Sequence, residues 1–313
     1  MNDSRKIYRA FALATLGLTV VFTLLRTLAL LFSFDKAVGY HESGILSTLL
    51  YIVVALFVLG AGAYIFIAQK NARTQHFALA PDPTSAHVSV RLSSAMTAIV
   101  FVTVGLWESL VVKSSDTSAL LRVIGAALAI LYFAISKKQK IFLTGVGAHV
   151  YLFFALVTEY FDWTVPMNSP LKLMQQISAV FAMLMLCAEM LSFVGKDRPL
   201  RLTVCTAAAV FFGLCNGISL IPALIVSGIV RSEIVIHALP SLAIGIYALT
   251  RLLQVTVVSL PAPAPENEQS DTPSSQETES SENPESNEGA DNAPAFESSD
   301  ILPNPTITDN EEN

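Results

Sequence analysis

The chain lacks every short signature of catalysis that a linear sequence can display. No phosphate-cradling P-loop, HExxH helix, GxSxG turn or CxxC pair occurs among its 313 residues, so no enzyme activity, metal or cofactor is expected. Cysteine is scarce. Cys187, Cys205 and Cys215 all fall in apolar segments without metal-ligand spacing, which implies no disulfide framework and suggests buried free thiols. Basic residues are spread across the loops at the expected membrane surface, which leaves nucleic-acid binding without support.

What the chain has is apolar length. Eight segments, at about residues 7–34, 44–68, 92–113, 117–136, 141–161, 170–194, 201–228 and 232–257, each approach the ~20 residues a helix needs to cross ~30 Å of hydrocarbon. In that solvent every backbone group must be bonded internally, which favours helices. The expected fold is therefore all-α: a polytopic integral membrane protein with an eight-transmembrane-helix bundle, embedded in the lipid bilayer. The basic residues set its orientation. Arg5, Lys6, Arg9, Lys70, Arg73, Arg91, Lys137, Lys138, Lys140, Lys196, Arg198 and Arg201 fall on one side of the alternating loops. Only Lys36, Lys113, Lys172 and Arg231 fall on the other. Lys and Arg resist translocation, so the richer side is cytoplasmic and both termini lie there. Trp107 and Trp163 fall near the opposite interface, where indoles are comfortable. The first apolar run continues far beyond a signal peptide and reads as a retained anchor. Short loops, and no usable sequon on the outer side, point to a prokaryotic plasma membrane.

Composition switches at the end of the eighth segment. Residues 259–313 form an acidic Pro/Ser-rich tail; from Pro261 onward there are 14 of the 25 Asp and Glu, eight of the 15 Pro, and no Lys or Arg. Such a segment cannot bury enough apolar surface to order itself and is expected to be disordered. It reads as a solvating tail repelled by anionic lipid, or as a docking arm for a basic cytoplasmic protein partner. The loop Gln69–Arg91, with Pro81-Asp82-Pro83 at its centre, is expected to be irregular with at most a short interfacial helix.

Two matches suggest a parallel 4+4 helix repeat. Arg91–Leu110 aligned on Arg201–Leu220 gives seven identities in 20 positions, and Phe34-Asp35 and Phe161-Asp162 close the first and fifth segments. Ordinary apolar composition produces similar matches, and the alternative is no duplication at all.

Charged groups inside spans are costly and face protein or water, so they are the candidate site. Arg26, Glu108, Arg122 and His237 share the outer half of the expected bundle. Ser118, Arg122, Gly125 and Ala129 fall on one helical stripe of small residues, a face suited to packing against other helices. Architecturally, Glu108 pairs with one Arg while the others reach toward head groups. Functionally, Arg26 and Arg122 contact a small anionic solute, with Glu108 as gating partner and His237 beside them. His149, near the middle of the fifth span, is a structural residue or a proton relay. Glu189 is expected to reach cytoplasmic water or a loop Lys. Gly213, Asn216 and Gly217 suit close helix packing with an interhelical amide bond, and Pro222 and Pro240 are candidate helix breaks.

The expected function is passage or binding of a small solute. Its rival is a non-catalytic scaffold, sensor or accessory subunit that recruits a partner through the tail. The orientation is tested by replacing Lys138→Cys. A membrane-impermeant maleimide is expected to label that thiol only after the cytoplasmic face is opened, and labelling in intact cells would reverse the topology.

Overall fold

The computed structural model describes residues 2–35, 40–41, 44–72, 88–111, 117–134, 141–161, 166, 169–193, 199–227 and 232–257. They lie within one compact unit, Met1–Leu260. The acidic tail, the centre of the Gln69–Arg91 loop and Lys137, Lys138 and Lys140 lie outside the described residues. The described helices are α1 (Asn2–Phe32), α2 (Ile45–Ala72), α3 (Val88–Val111), α4 (Thr117–Ala134), α5 (Ile141–Tyr160), α6 (Pro170–Phe193), α7 (Pro199–Ser227) and α8 (Ser232–Val257). α1 and α3 begin several residues before their apolar runs. Hydropathy marks the stretch that needs lipid, whereas backbone bonding extends a helix into polar turns.

Phe34-Asp35 does not close a helix as expected. It forms a strand, β1 (Phe34–Asp35), antiparallel to β2 (Tyr40–His41), with Phe34 opposite His41. Pro222 and Pro240 lie inside uninterrupted α7 and α8, so neither breaks its helix. Neighbouring helices can satisfy the backbone groups that such prolines free.

Seven helices, all but α5, are long and apolar enough over their described residues to cross a membrane. The side chains of α5 are described only from Gly145. The surface supports the same solvent. Leu13, Val20 and Leu24 on α1, Tyr51, Leu59 and Phe66 on α2, Ile99 and Leu106 on α3, and Ile225 and Val226 on α7 are all exposed. A continuous apolar exterior of this kind is unfavourable in water and ordinary in hydrocarbon. The architecture is that of a multi-pass helical membrane protein.

α7 is the hub, packed on α1, α6 and α8. α3 lies against α4 and α8, α5 against α4 and α6, and α2 against α1. α1 therefore packs on α7, whereas α5, its counterpart in a duplication, packs on α4 and α6. Lipid offers no hydrophobic drive between helices, so close contact must supply the attraction. The α7–α8 seam shows how. A Cβ on Gly213 would lie 2.6 Å from the Ser241 carbonyl oxygen, and one on Gly217 would lie 2.5 Å from Leu242 Cβ. The α4–α5 seam is as tight: a Cβ on Gly125 would lie 2.6 Å from the Tyr151 nitrogen. Stacked rings fill the wider gaps, with Phe57 on Phe211 at 4.3 Å and Phe181 on Phe212 at 4.8 Å.

Two contacts fix the ends of the bundle. The Tyr8 hydroxyl donates to the Leu252 carbonyl at 2.9 Å, joining the start of α1 to the end of α8. At the opposite end Leu30 shares an apolar cluster with Leu171, Leu220, Ala223 and Ala238. These are the Tyr8 end and the Leu30 end below.

Candidate functional site

Three arginines are buried in the described bundle: Arg26, Arg122 and Arg251. Each is held by a different kind of partner, and that difference sorts their roles.

Arg122 lies on the α4 stripe, five residues into the helix and so roughly 7–8 Å from its first residue. Arg122 and its stripe neighbours Gly125 and Ala129 are buried, because small residues there let α5 approach. Its Nη2 donates to Glu108 Oε2 on α3 at 3.0 Å. Its Nη1 donates to the Ser118 hydroxyl at 3.3 Å and to the Thr158 hydroxyl of α5. Arg122 is 2% exposed and Glu108 1%, so this is a fully desolvated ion pair. His237 on α8 places Nδ1 3.5 Å from Glu108 Oε1, with 23% of its side chain exposed. Tyr151 stands within electrostatic reach of both charges.

Arg251 lies toward the Tyr8 end and has the most complete shell. Its Nη2 donates to Glu189 Oε1 at 2.7 Å, its Nε donates to Tyr247 Oη at 3.1 Å, and its guanidinium sits 5.4 Å from the centre of the Tyr247 ring. Tyr247 donates to Glu189 Oε1 at 2.6 Å and Tyr132 to Glu189 Oε2 at 2.9 Å. Both carboxylate oxygens are therefore occupied, and α4, α6 and α8 are tied at one point. Glu189 does not reach cytoplasmic water as expected. It is buried, because α8 brings a cation and a phenol to it.

Arg26 is prepared by a threonine ladder on α1. Thr19, Thr23 and Thr27 each donate to the carbonyl four residues back, at 2.7, 2.7 and 2.8 Å, so the polar stripe satisfies itself in an apolar setting. Arg26 Nη2 donates to Asn216 Oδ1 on α7 at 3.1 Å, and Asn216 Nδ2 donates to Ser178 Oγ on α6 at 3.2 Å. Apolar clusters lie on either side along the bundle. Phe22, Phe211 and Cys215 belong to one, and Leu30, Leu171 and Leu220 to the other. Arg26 is 5% exposed, and its partner is a neutral amide. Among the described residues no carboxylate forms an ion pair with it.

The expected foursome is thus brought together only in part. Glu108, Arg122 and His237 converge from α3, α4 and α8, while Arg26 belongs to a separate network between α1, α6 and α7. The two ring nitrogens of His149 stand 2.9 Å from the Gly145 and Met183 carbonyl oxygens; a neutral ring donates to one of these two acceptors only. Cys215 is buried, with Thr23 Oγ1 at 3.4 Å. Cys205 is half-buried and Cys187 exposed, so only one thiol is buried as expected. Sequence reasoning missed Arg251, Tyr132, Tyr151, Tyr247 and Ser178 as site residues. A signal existed for one pair: Tyr247 and Arg251 are four apart on one helix face.

No known protein family, curated protein or solved structure matches the chain.

The contrast between the arginines makes a stability prediction. Arg251→Leu leaves Glu189 as a buried unpaired charge and is expected to cost about 3–5 kcal/mol. Arg26→Leu leaves only an amide without its donor, about 1–3 kcal/mol, and removes a desolvated charge, so its net effect is expected to be near zero or stabilising. Reversible unfolding in mixed micelles reads both. Equal losses would show that Arg26 is held as a structural residue.

Proposed function

We propose that this chain is an eight-span membrane carrier or binding protein for a small anionic solute, with Arg26 as the main anion contact. The proposal places N- and C-termini in the cytoplasm, the bundle in a prokaryotic plasma membrane, and assigns no catalytic role. One observation carries it: Arg26 is buried beside a neutral amide, whereas Arg122 and Arg251 each have a carboxylate. A desolvated guanidinium without a counter-charge is unfavourable in a low-dielectric interior. An anion supplies the missing charge together with charge-assisted hydrogen bonds. The amide of Asn216, anchored by Ser178, orients the guanidinium without competing for the charge. Arg122 enters only when Glu108 releases it, in keeping with Glu108 as gating partner.

The test is ligand-induced stabilisation of the purified full-length protein by chloride, acetate, phosphate, sulfate and succinate in turn. At least one of these is expected to raise the unfolding free energy, by about 2.7 kcal/mol at a hundredfold excess over Kd. The response is expected to vanish in Arg26→Gln, survive removal of residues 261–313, and be matched by flux of the same anion into proteoliposomes. If Arg26→Gln responds to every anion as the parent does, the proposal fails. If removal of 261–313 then abolishes capture of a basic partner, the scaffold reading takes its place.

A further inference from the structure

The Glu108–Arg122 pair is saturated on one side only. Glu108 Oε2 accepts from Arg122, but Oε1 is buried without a hydrogen-bond partner, and Arg122 Nε and Tyr151 Oη are buried in the same condition. Buried polar atoms in this condition are uncommon, and three around one carboxylate call for an account. Among the described residues, the charged and titratable groups facing Glu108 are Arg122 from α4, Tyr151 from α5 and His237 from α8. Of these, His237 combines closeness to Oε1, at 3.5 Å, with an exposed edge.

We propose that Glu108 is a proton-binding site, loaded from the Leu30 end through His237, and that the proton it takes loosens the hold on Arg122. A proton from water adds to Nε2 of the neutral His237 ring. The Nδ1–H bond then breaks as the Oε1–H bond of Glu108 forms, and the ring returns to neutrality as the other tautomer. Nothing else is consumed. With Glu108 ionised the pair sums to zero. With Glu108 neutral, Arg122 becomes a second guanidinium without a counter-charge, and an anion is favoured beside it. Proton and anion then bind more tightly together than apart, each by the same factor. That makes the coupling ion of the carrier a proton moving in the same direction as the solute. The coupling rests on the carrier reading, whereas the proton site does not. Glu189, by contrast, has both oxygens bonded.

The experiment is infrared difference spectroscopy on the full-length protein in lipid nanodiscs, without solute, followed across a pH titration. A band from a buried protonated carboxyl is expected to rise as pH falls, vanish in Glu108→Gln and persist in Glu159→Gln. After a rapid pH drop it is expected to grow at least about tenfold more slowly in His237→Gln, a change at a partly exposed position that keeps the fold testable if Glu108→Gln does not insert. A titrating band that survives in Glu108→Gln, no such band in the parent, or an unchanged rate in His237→Gln would overturn the proposal. No anion or flux enters this readout, so it can fail while the carrier stands, and the reverse.

Discussion

A charge in hydrocarbon must meet a partner on another helix, and the rest of the structure follows from how that demand is met. Burial costs a guanidinium or a carboxylate most of its hydration, so a side chain's partner decides what it does. Arg251 is engaged by Glu189, by the Tyr247 hydroxyl and by the face of the same Tyr247 ring, and so acts as a rivet. Arg122 shares a carboxylate that retains one oxygen without a hydrogen bond, and the proposal makes this the pair that opens. Among the described residues Arg26 has the neutral amide of Asn216 and no carboxylate, which is why the proposal assigns it the anion. The same residue type takes three roles through three partners.

Those partners are delivered by helix packing, and packing in lipid depends on small side chains. Gly213 and Gly217 bring α8 against α7, which places His237 and Arg251 on the core side of α8. Gly125 brings α5 against α4, which puts Thr158 on Arg122 and Tyr151 near the ion pair. Thr19, Thr23 and Thr27 of α1 keep their hydroxyls bonded within the helix, and the amide of Asn216 then reaches across to Arg26. Close approach and polar recognition are one design in this molecule, because a helix kept at a larger distance could not bring its short polar side chains to their partners.

The legible part of the sequence was whatever depends on position along the membrane normal. Apolar length gave the helix positions to within a few residues, and the small stripe around Arg122 marked a packed face. Azimuth and pairing were not legible. Arg26 and Glu108 were placed at similar depth and therefore grouped, but depth does not say which way a side chain points around its helix axis. Glu189 and Arg251 are 62 residues apart, and no periodicity within either helix announces that α6 and α8 bring them together. The two-residue strand pair after α1 was hidden for another reason: Phe34-Asp35 continues the apolar run, and only its partner Tyr40–His41 shows that it has left the helix.

The register of α1 on α7 decides whether Arg26 meets Asn216 at all, and it can be measured in native membranes with one substitution. Thr23 Oγ1 lies 3.4 Å from Cys215 Sγ, so Thr23→Cys, with Cys187 and Cys205 changed to Ser, brings two thiols together across the seam. Mild oxidation is expected to join α1 to α7 in high yield, while Leu24→Cys, one residue on and facing outward, stays reduced. Efficient closure at Leu24→Cys with none at Thr23→Cys would contradict the packing on which every partner assignment depends.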